Sequence, residues 1–287
     1  MKGAWRILLA IALLAPVVTA TAIIRTKGKA PESVRKQVEV SMLLTGTIDI
    51  DPDGSVSGYV LDDRAKVPGY VSAFLDDRVP AWQFQPTTRN GQAVAVRSPM
   101  SLRMVARPVD GGNFQMSIAG VSFGKYSDSA TDQVTRDRMQ PPSYPAGAAS
   151  MGGKGTVYLV LRINREGRVD DLFVEQVNLT AIGTEEEMAQ MRERFGQAAT
   201  KAAWKWTFHP PTTGDAVDEA HWAVRVPVAF MLYDTAGPRY GAWQAYLPGP
   251  RATASWAQDD AKPDAIAGVG LHPVGGGPKL LTPLQEG

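Results

Sequence analysis

The feature that most constrains this chain is an alternating run that starts at Gly155. In Thr156-Val157-Tyr158-Leu159-Val160-Leu161-Arg162-Ile163 an apolar side chain falls at every second position, with β-branched and aromatic residues between, which suits a half-buried strand. Asn164-Arg165-Glu166-Gly167 then offers a glycine where a tight reversal needs positive φ. Alternation resumes over 168–177 with Val169, Leu172 and Val174 apolar, so a hairpin is expected. A helix is signed next: Thr184 and Glu187 have the spacing of a capping box, and Glu185 and Glu186 place negative charge at the first-turn amides. Met188, Met191, Phe195, Ala198 or Ala199, and Ala202 recur at steps of three and four, giving one apolar face. Lys201 and Lys205 suit the other end of the helix dipole.

The hairpin and helix are framed by ordered motifs. Pro-Pro-Ser-Tyr-Pro at 141–145 precedes them, followed by Ala148, Gly152 and Gly155. The helix exits through Trp206-Thr207-Phe208-His209-Pro210, and a last strand is expected at Trp222-Ala223-Val224-Arg225-Val226-Pro227-Val228-Ala229-Phe230. This set, with Tyr144 and Pro145 leading, resembles the C-terminal domain of the TonB family. The resemblance covers about a third of the chain. It implies a small α+β domain with a three-stranded antiparallel sheet and helices on one face, which receives an extended receptor peptide beside its last strand.

Composition limits the alternatives. With 287 residues, 44% apolar and 21% charged, the chain can hold two small domains and tails and is neither disordered nor multi-spanning. A net charge of +1 gives no electrostatic case for nucleic acid. Absence of cysteine excludes disulfides, thiolate metal sites and cysteine catalysis. The histidines, His209, His221 and His272, have no metal-ligand spacing, so no metal and no cofactor is expected.

Along the chain, Lys2 and Arg6 precede an apolar run from Ile7, broken at Pro16, with small residues around Ala20 and Ala22. Residues 1–24 read either as a cleaved signal peptide, with the mature chain starting near Thr21 or Ile23, or as an inner-membrane anchor over 7–24. Both place the bulk of the chain in the periplasm of a double-membraned bacterium, as the resemblance implies. Residues 33–107 read as a diverged copy of the same domain. Ile48 to Val56 lies over Leu161 to Val169 at an offset of 113, Trp82-Gln83-Phe84-Gln85-Pro86 lies over Trp206 to Pro210 at 124, and Val96-Arg97-Ser98-Pro99-Met100 answers Val224 to Val228. A short helix is expected near 71–79.

The expected architecture is therefore α+β, with tandem small domains, each a three-stranded antiparallel sheet with a helix packed on one face. The domains span 33–107 and 139–234, joined by a linker at 108–138. The tail, 235–287, is expected to be largely irregular because nine glycines and seven prolines fall in it, although Tyr240, Trp243, Tyr246 and Trp256 could dock onto the second domain or onto a partner.

Two catalytic or metal patterns have the wrong context. Asp49-x-Asp51-x-Asp53-Gly54 opens like a calcium loop, yet Val60 stands where a bidentate Glu is needed, so a hairpin turn is expected. Gly120-Val121-Ser122-Phe123-Gly124 has the nucleophile-elbow spacing without surrounding strand-helix units, so a flexible linker or an extra strand is expected. No acid, base, nucleophile and oxyanion set converges, so the chain is expected not to be an enzyme. Pro227 argues that the last strand lies at a sheet edge. Ala223, Val224, Arg225 and Val226 are the expected docking stretch for an extended peptide, with Tyr144 and Pro145 fixing the neighbouring entry. The partners implied by the resemblance are an outer-membrane receptor or another cell-envelope protein, and an inner-membrane motor complex. The family's motor-facing serine and histidine are missing from 7–24, and 108–139 lacks a proline-rich spacer.

Overall fold

The computed structural model describes residues 34, 36–109, 112–124, 126–232, 239–260, 271–273 and 277–284. The expected signal or anchor at 1–24 lies outside them. Among the described residues, no helix is long and apolar enough to cross a membrane.

The first half builds a sheet on β1 (Glu39–Ile50), whose buried Met42, Leu44, Ile48 and Ile50 alternate as a half-buried strand requires. β2 (Val56–Leu61) returns from a turn at Gly54 and pairs with β1. Helix α1 (Gly69–Arg78) follows and supplies Val71 and Leu75 to the core, together with Trp82 and Phe84. A two-residue ribbon, β3 (Thr88–Arg89) with β4 (Gln92–Ala93), leads to β5 (Val96–Pro108), which pairs along the whole of β1 from Val40↔Ala106 to Ile50↔Val96. β6 (Phe114–Phe123) then lies on the outer side of β5.

In the second half a short ribbon joins β7 (Thr135–Arg138) to β10 (Thr207–His209). Between them come α2 (Ala146–Ser150), the expected hairpin as β8 (Gly155–Asn164) and β9 (Val169–Leu179), and α3 (Glu185–Ala203). The capping box forms: Thr184 Oγ1 accepts from the Glu187 amide at 3.2 Å, and the Thr184 amide donates to Glu187 Oε2 at 2.8 Å. Met188, Met191, Phe195 and Ala199 of α3 pack on the face of the sheet that carries Val157, Leu159, Leu161 and Ile163. β11 (His221–Phe230) pairs with the full length of β8, from His221↔Asn164 to Phe230↔Gly155.

The tail is woven into both halves. β12 (Gln244–Tyr246) pairs with the start of β1, and β13 (His272–Pro273) pairs with β11. The strand orders are β12-β1-β5-β6, with β2 also on β1, and β13-β11-β8-β9. The sheets thus have five and four strands instead of three, because segments read as connections still carry backbone groups that satisfy exposed edges. The 108–138 stretch contributes β6 and β7. Gly120 to Gly124, with the elbow spacing, ends β6, and Ser122 is paired opposite Ser101 as an ordinary strand residue.

The tail aromatics divide between the halves instead of docking on the second alone. Tyr240 donates to the Thr45 carbonyl at 2.9 Å, Trp243 Nε1 donates to Tyr70 Oη at 2.7 Å, and Trp256 meets Phe173 edge-on at 5.5 Å. The reason is chain length: β12 must reach β1 before the tail can cross to β9, where Leu247 and Leu179 exchange backbone bonds of 2.7 and 3.0 Å.

Both hairpins close on the aromatic exit that follows the helix. Gly54 and Gly167 have φ of +86° and +73°. The Phe84 amide donates to the Gly54 carbonyl and the Phe208 amide to the Gly167 carbonyl, each at 2.8 Å. A Cβ added at these glycines would lie 2.1 and 2.0 Å from the Phe84 and Phe208 carbonyl oxygens. When the halves are aligned at these turns, the motif match over the last strands is two residues out of phase: Pro99 faces Thr47, whose counterpart Val160 faces Arg225, not Pro227. A two-residue slip keeps every side chain on its face, so alternation alone does not detect it.

Gly167→Ala is expected to lower stability by about 3 kcal/mol, since it combines positive φ with a backbone collision. Gly91→Ala, at φ +76° with nothing within 4 Å, is expected to cost only about 1 kcal/mol. Urea denaturation of both variants checks this difference.

Candidate functional site

β11 and β9 flank β8 as the outer two of the three long strands of the second sheet, and β11 lies between β8 and the two-residue β13. On its outer side only Val224 and Arg225 are paired among the described residues, opposite Pro273 and His272. Proline has no amide hydrogen, so Pro227 suits a position whose amide would face away from β8. Hydrogen-bonding direction alternates along a strand, so Ala223, Arg225 and Ala229 share that outward phase while Val224, Val226 and Val228 turn their amides to β8. The same phase holds in the first sheet, where the Pro99 carbonyl accepts from the Gly124 amide at 2.9 Å on its outer side.

The expected docking stretch accordingly splits in two. Val224 and Val226 bury their side chains in the core beneath α3. Ala223 and Arg225 project from the opposite face, where Arg225 is committed to an ion pair. Its Nε and Nη2 donate to Glu175 Oε2 and Oε1 at 2.7 and 2.9 Å, and Arg251 of the tail donates to Glu175 Oε1 at 2.7 Å. Side-chain exposure is 8% for Arg225 and 4% for Glu175, so this bidentate pair is desolvated, and the tail completes it. The Ala252 amide also donates to the Glu175 carbonyl at 2.8 Å. Arg225 therefore holds β11, β9 and the tail together and offers a ligand its backbone, not its charge.

Tyr144 and Pro145 lie at the other end of β11. Tyr144 donates its hydroxyl to the Gly153 carbonyl, and its ring meets Phe195 and Phe230 edge-on, each at 5.8 Å. Pro145 caps α2, its carbonyl accepting from the amides of Ala148 and Ala149 at 3.0 Å. Val224 and Phe230 are six positions apart on a strand, about 20 Å. The structure thus separates this pair from Ala223 to Val226, because the Tyr144 ring is needed to close the aromatic end of the core.

Asp49, first of the calcium-like aspartates, is gripped by Arg97 at 2.6 and 2.9 Å, which holds its carboxyl below the usual range, and Asp53 accepts from the Ser55 amide and hydroxyl within the β1–β2 turn. Among the described residues no group of three or more His, Cys, Asp or Glu could hold a metal ion. His209 and His221 are exposed at opposite sides of the β10–β11 connection. Sequence reasoning missed Glu175, Arg251 and β13; Glu175 sits beside Val174 in an alternating strand and carries no local mark of burial.

Removing Glu175 leaves the Arg225 guanidinium without its carboxylate in a desolvated pocket and takes one partner from Arg251. Glu175→Ala is expected to lose about 3–5 kcal/mol, and Glu175→Leu combined with Arg225→Met is expected to recover most of it. Comparison of urea midpoints for the single and double variants checks the coupling.

No family model matches the chain. It is 30% identical over 103 residues to a protein named TonB from Xanthomonas campestris pv. campestris (strain B100), a span that covers 36% of this chain and 40% of that protein. It is 33% identical over 91 residues to a protein named tonB2 from Pseudomonas aeruginosa, covering 32% of this chain and 28% of that one. The chain thus spans well under half the length of these relatives. The solution NMR structure of the Pseudomonas aeruginosa TonB CTD aligns with 36% of this chain and 91% of its own, at 23% identity and a TM-score of 0.27. Over about a third of its length, this chain is TonB-like.

Proposed function

We propose that the chain is a non-enzymatic binding module of the TonB type that acts on the periplasmic side of the cell envelope, exported or anchored through residues 7–24. It takes an extended peptide of an outer-membrane receptor or another envelope protein by adding it to the outer edge of β11. The observation that carries this reading is that, among the described residues, the outer side of β11 is paired at Val224 and Arg225 alone. An incoming strand would find the outward amides of Ala223, Arg225 and Ala229 and the outward carbonyl of Pro227. Pro227 limits uncontrolled edge pairing by removing one donor.

The tandem-domain reading belongs to the same proposal. It is supported by matching strand orders, β5-β1-β2 and β11-β8-β9, and by the matching locks of Gly54 on Phe84 and Gly167 on Phe208. The first domain has its corresponding edge filled along β5 by β6, so the chain carries one receptive edge, not two. Coupling to an inner-membrane motor is the less supported part, because residues 7–24 contain neither serine nor histidine. An assembly role in the envelope without energy transduction fits that composition.

The phase of β11 selects the test. Val224→Pro would remove an amide that serves β8 and is expected to damage the sheet, whereas Ala223→Pro removes an outward amide. Isotope-labelled chain titrated with extended receptor peptides should bind at micromolar Kd. Ala223→Pro is expected to raise that Kd at least tenfold with an unchanged circular dichroism spectrum. Equal binding by this variant rules out edge addition.

A further inference from the structure

We infer that Leu271–Pro273 is a resident occupant of the β11 edge, a stand-in for the partner peptide that the partner must displace. This rests on the reading of β11 as the peptide-binding edge and specifies how that edge is kept. The backbone of His272 and Pro273 pairs antiparallel with Arg225 and Val224, inside the stretch where an added strand would lie. Leu271, just before it, is 2% exposed and belongs to the core of the second half, so among the described residues the segment is held by one apolar anchor and a two-residue ladder.

The other edges of the molecule are closed differently. β6 covers β5 from Met100↔Phe123 to Pro108↔Phe114 and follows it directly in the chain. On β9, Leu247 makes two backbone bonds with Leu179, and Ala252 donates to Glu175, within a strap also held by Arg251. Among the described residues β13 pairs at two positions, whereas β6 pairs with β5 from Met100 through Pro108.

Tethering completes the device. Beyond β13 the chain is fastened to the first half: the Lys279 carbonyl accepts from the Gln85 amide at 2.9 Å, the Leu281 amide donates to the Gln83 carbonyl at 2.8 Å, and Leu280 is 5% exposed in the first core. Before it, Trp256 rests on Phe173. A segment fastened on both sides rebinds as an intramolecular reaction at high effective concentration, so a weak ladder can keep the edge closed and still yield to a better strand. The chemistry of the resident describes the class of ligand that competes: an extended peptide presenting a branched apolar residue to the Leu271 pocket, with backbone pairing to Arg225.

The test uses the full chain and, as ligand, the free synthetic peptide with the sequence of residues 267–275. In a variant with Leu271, His272 and Pro273 all changed to Gly, the Arg225 amide is expected to exchange hydrogen at least tenfold faster, while the Val224 amide, bonded to β8, stays protected. The free peptide should restore protection at micromolar concentration and should bind wild type at least tenfold more weakly. Equal binding to both proteins, or unchanged Arg225 exchange in the variant, overturns the resident-strand inference and leaves edge addition standing. An opened edge that takes up neither this peptide nor a receptor peptide overturns edge addition itself. Since the chain has no cysteine, Val224→Cys with Pro273→Cys gives a reversible lock that retains Leu271. The oxidised form should refuse receptor peptides that the reduced form accepts, and equal uptake by both forms overturns the inference.

Discussion

The constraint on which this structure depends is that the backbone groups along a sheet edge must be paired, hydrated or covered. Two antiparallel sheets built from long strands would present outer edges at β5, β11 and β9, with β1 half covered by β2. The chain covers these edges with its own connections: β6 on β5, β12 on the remainder of β1, residues 247–252 on β9, and β13 on β11. A tail rich in glycine and proline thereby becomes structural, because edge pairing asks for extended backbone and few side chains. Where the cover is long or tied by side chains, the edge is closed. On β11 the cover is two residues among those described.

The same logic explains the polar burial in the second sheet. Its face away from α3 is covered by the tail, which brings Arg251 to a Glu175 already bound by Arg225. A bidentate guanidinium-carboxylate pair tolerates desolvation only when both partners remain, so sheet and strap depend on each other. Trp256, edge-on to Phe173 with Arg162 beyond its ring, extends the cover along that face. β11 is thus held along its length on the β8 side and through the Arg225 side chain, while among the described residues its outer backbone is paired at Val224 and Arg225.

Local pattern carried the hairpins, the capped helix and the aromatic exits into correct elements, because each depends on neighbours in sequence: alternation for β8 and β9, the Thr184–Glu187 pair for α3, and glycine for the turns at Gly54 and Gly167. Trp82, Phe84, Trp206 and Phe208 of the aromatic exits are buried. Pattern was weaker on register. The two-residue phase error between Pro99 and Pro227 preserves every inward and outward assignment and becomes visible only in which residue each proline faces. Tyr144 and Pro145, adjacent to the hairpin in sequence, were grouped with the docking stretch, yet the strand carries them to its far end.

What the sequence by itself determined is therefore the β8–β9 hairpin, the capped helix α3 and the strand β11, together with a TonB-like set of ordered motifs. Tertiary structure alone decided which edges remain accessible. That depends on where residues 244–252, 271–273 and 279–282 return in space, and such returns are long-range pairings between segments with no periodic signal of their own. A two-residue strand such as β13 has too few residues to leave a pattern. It exists because β11 supplies the template and Leu271 finds space in a core assembled from elements far from it in sequence.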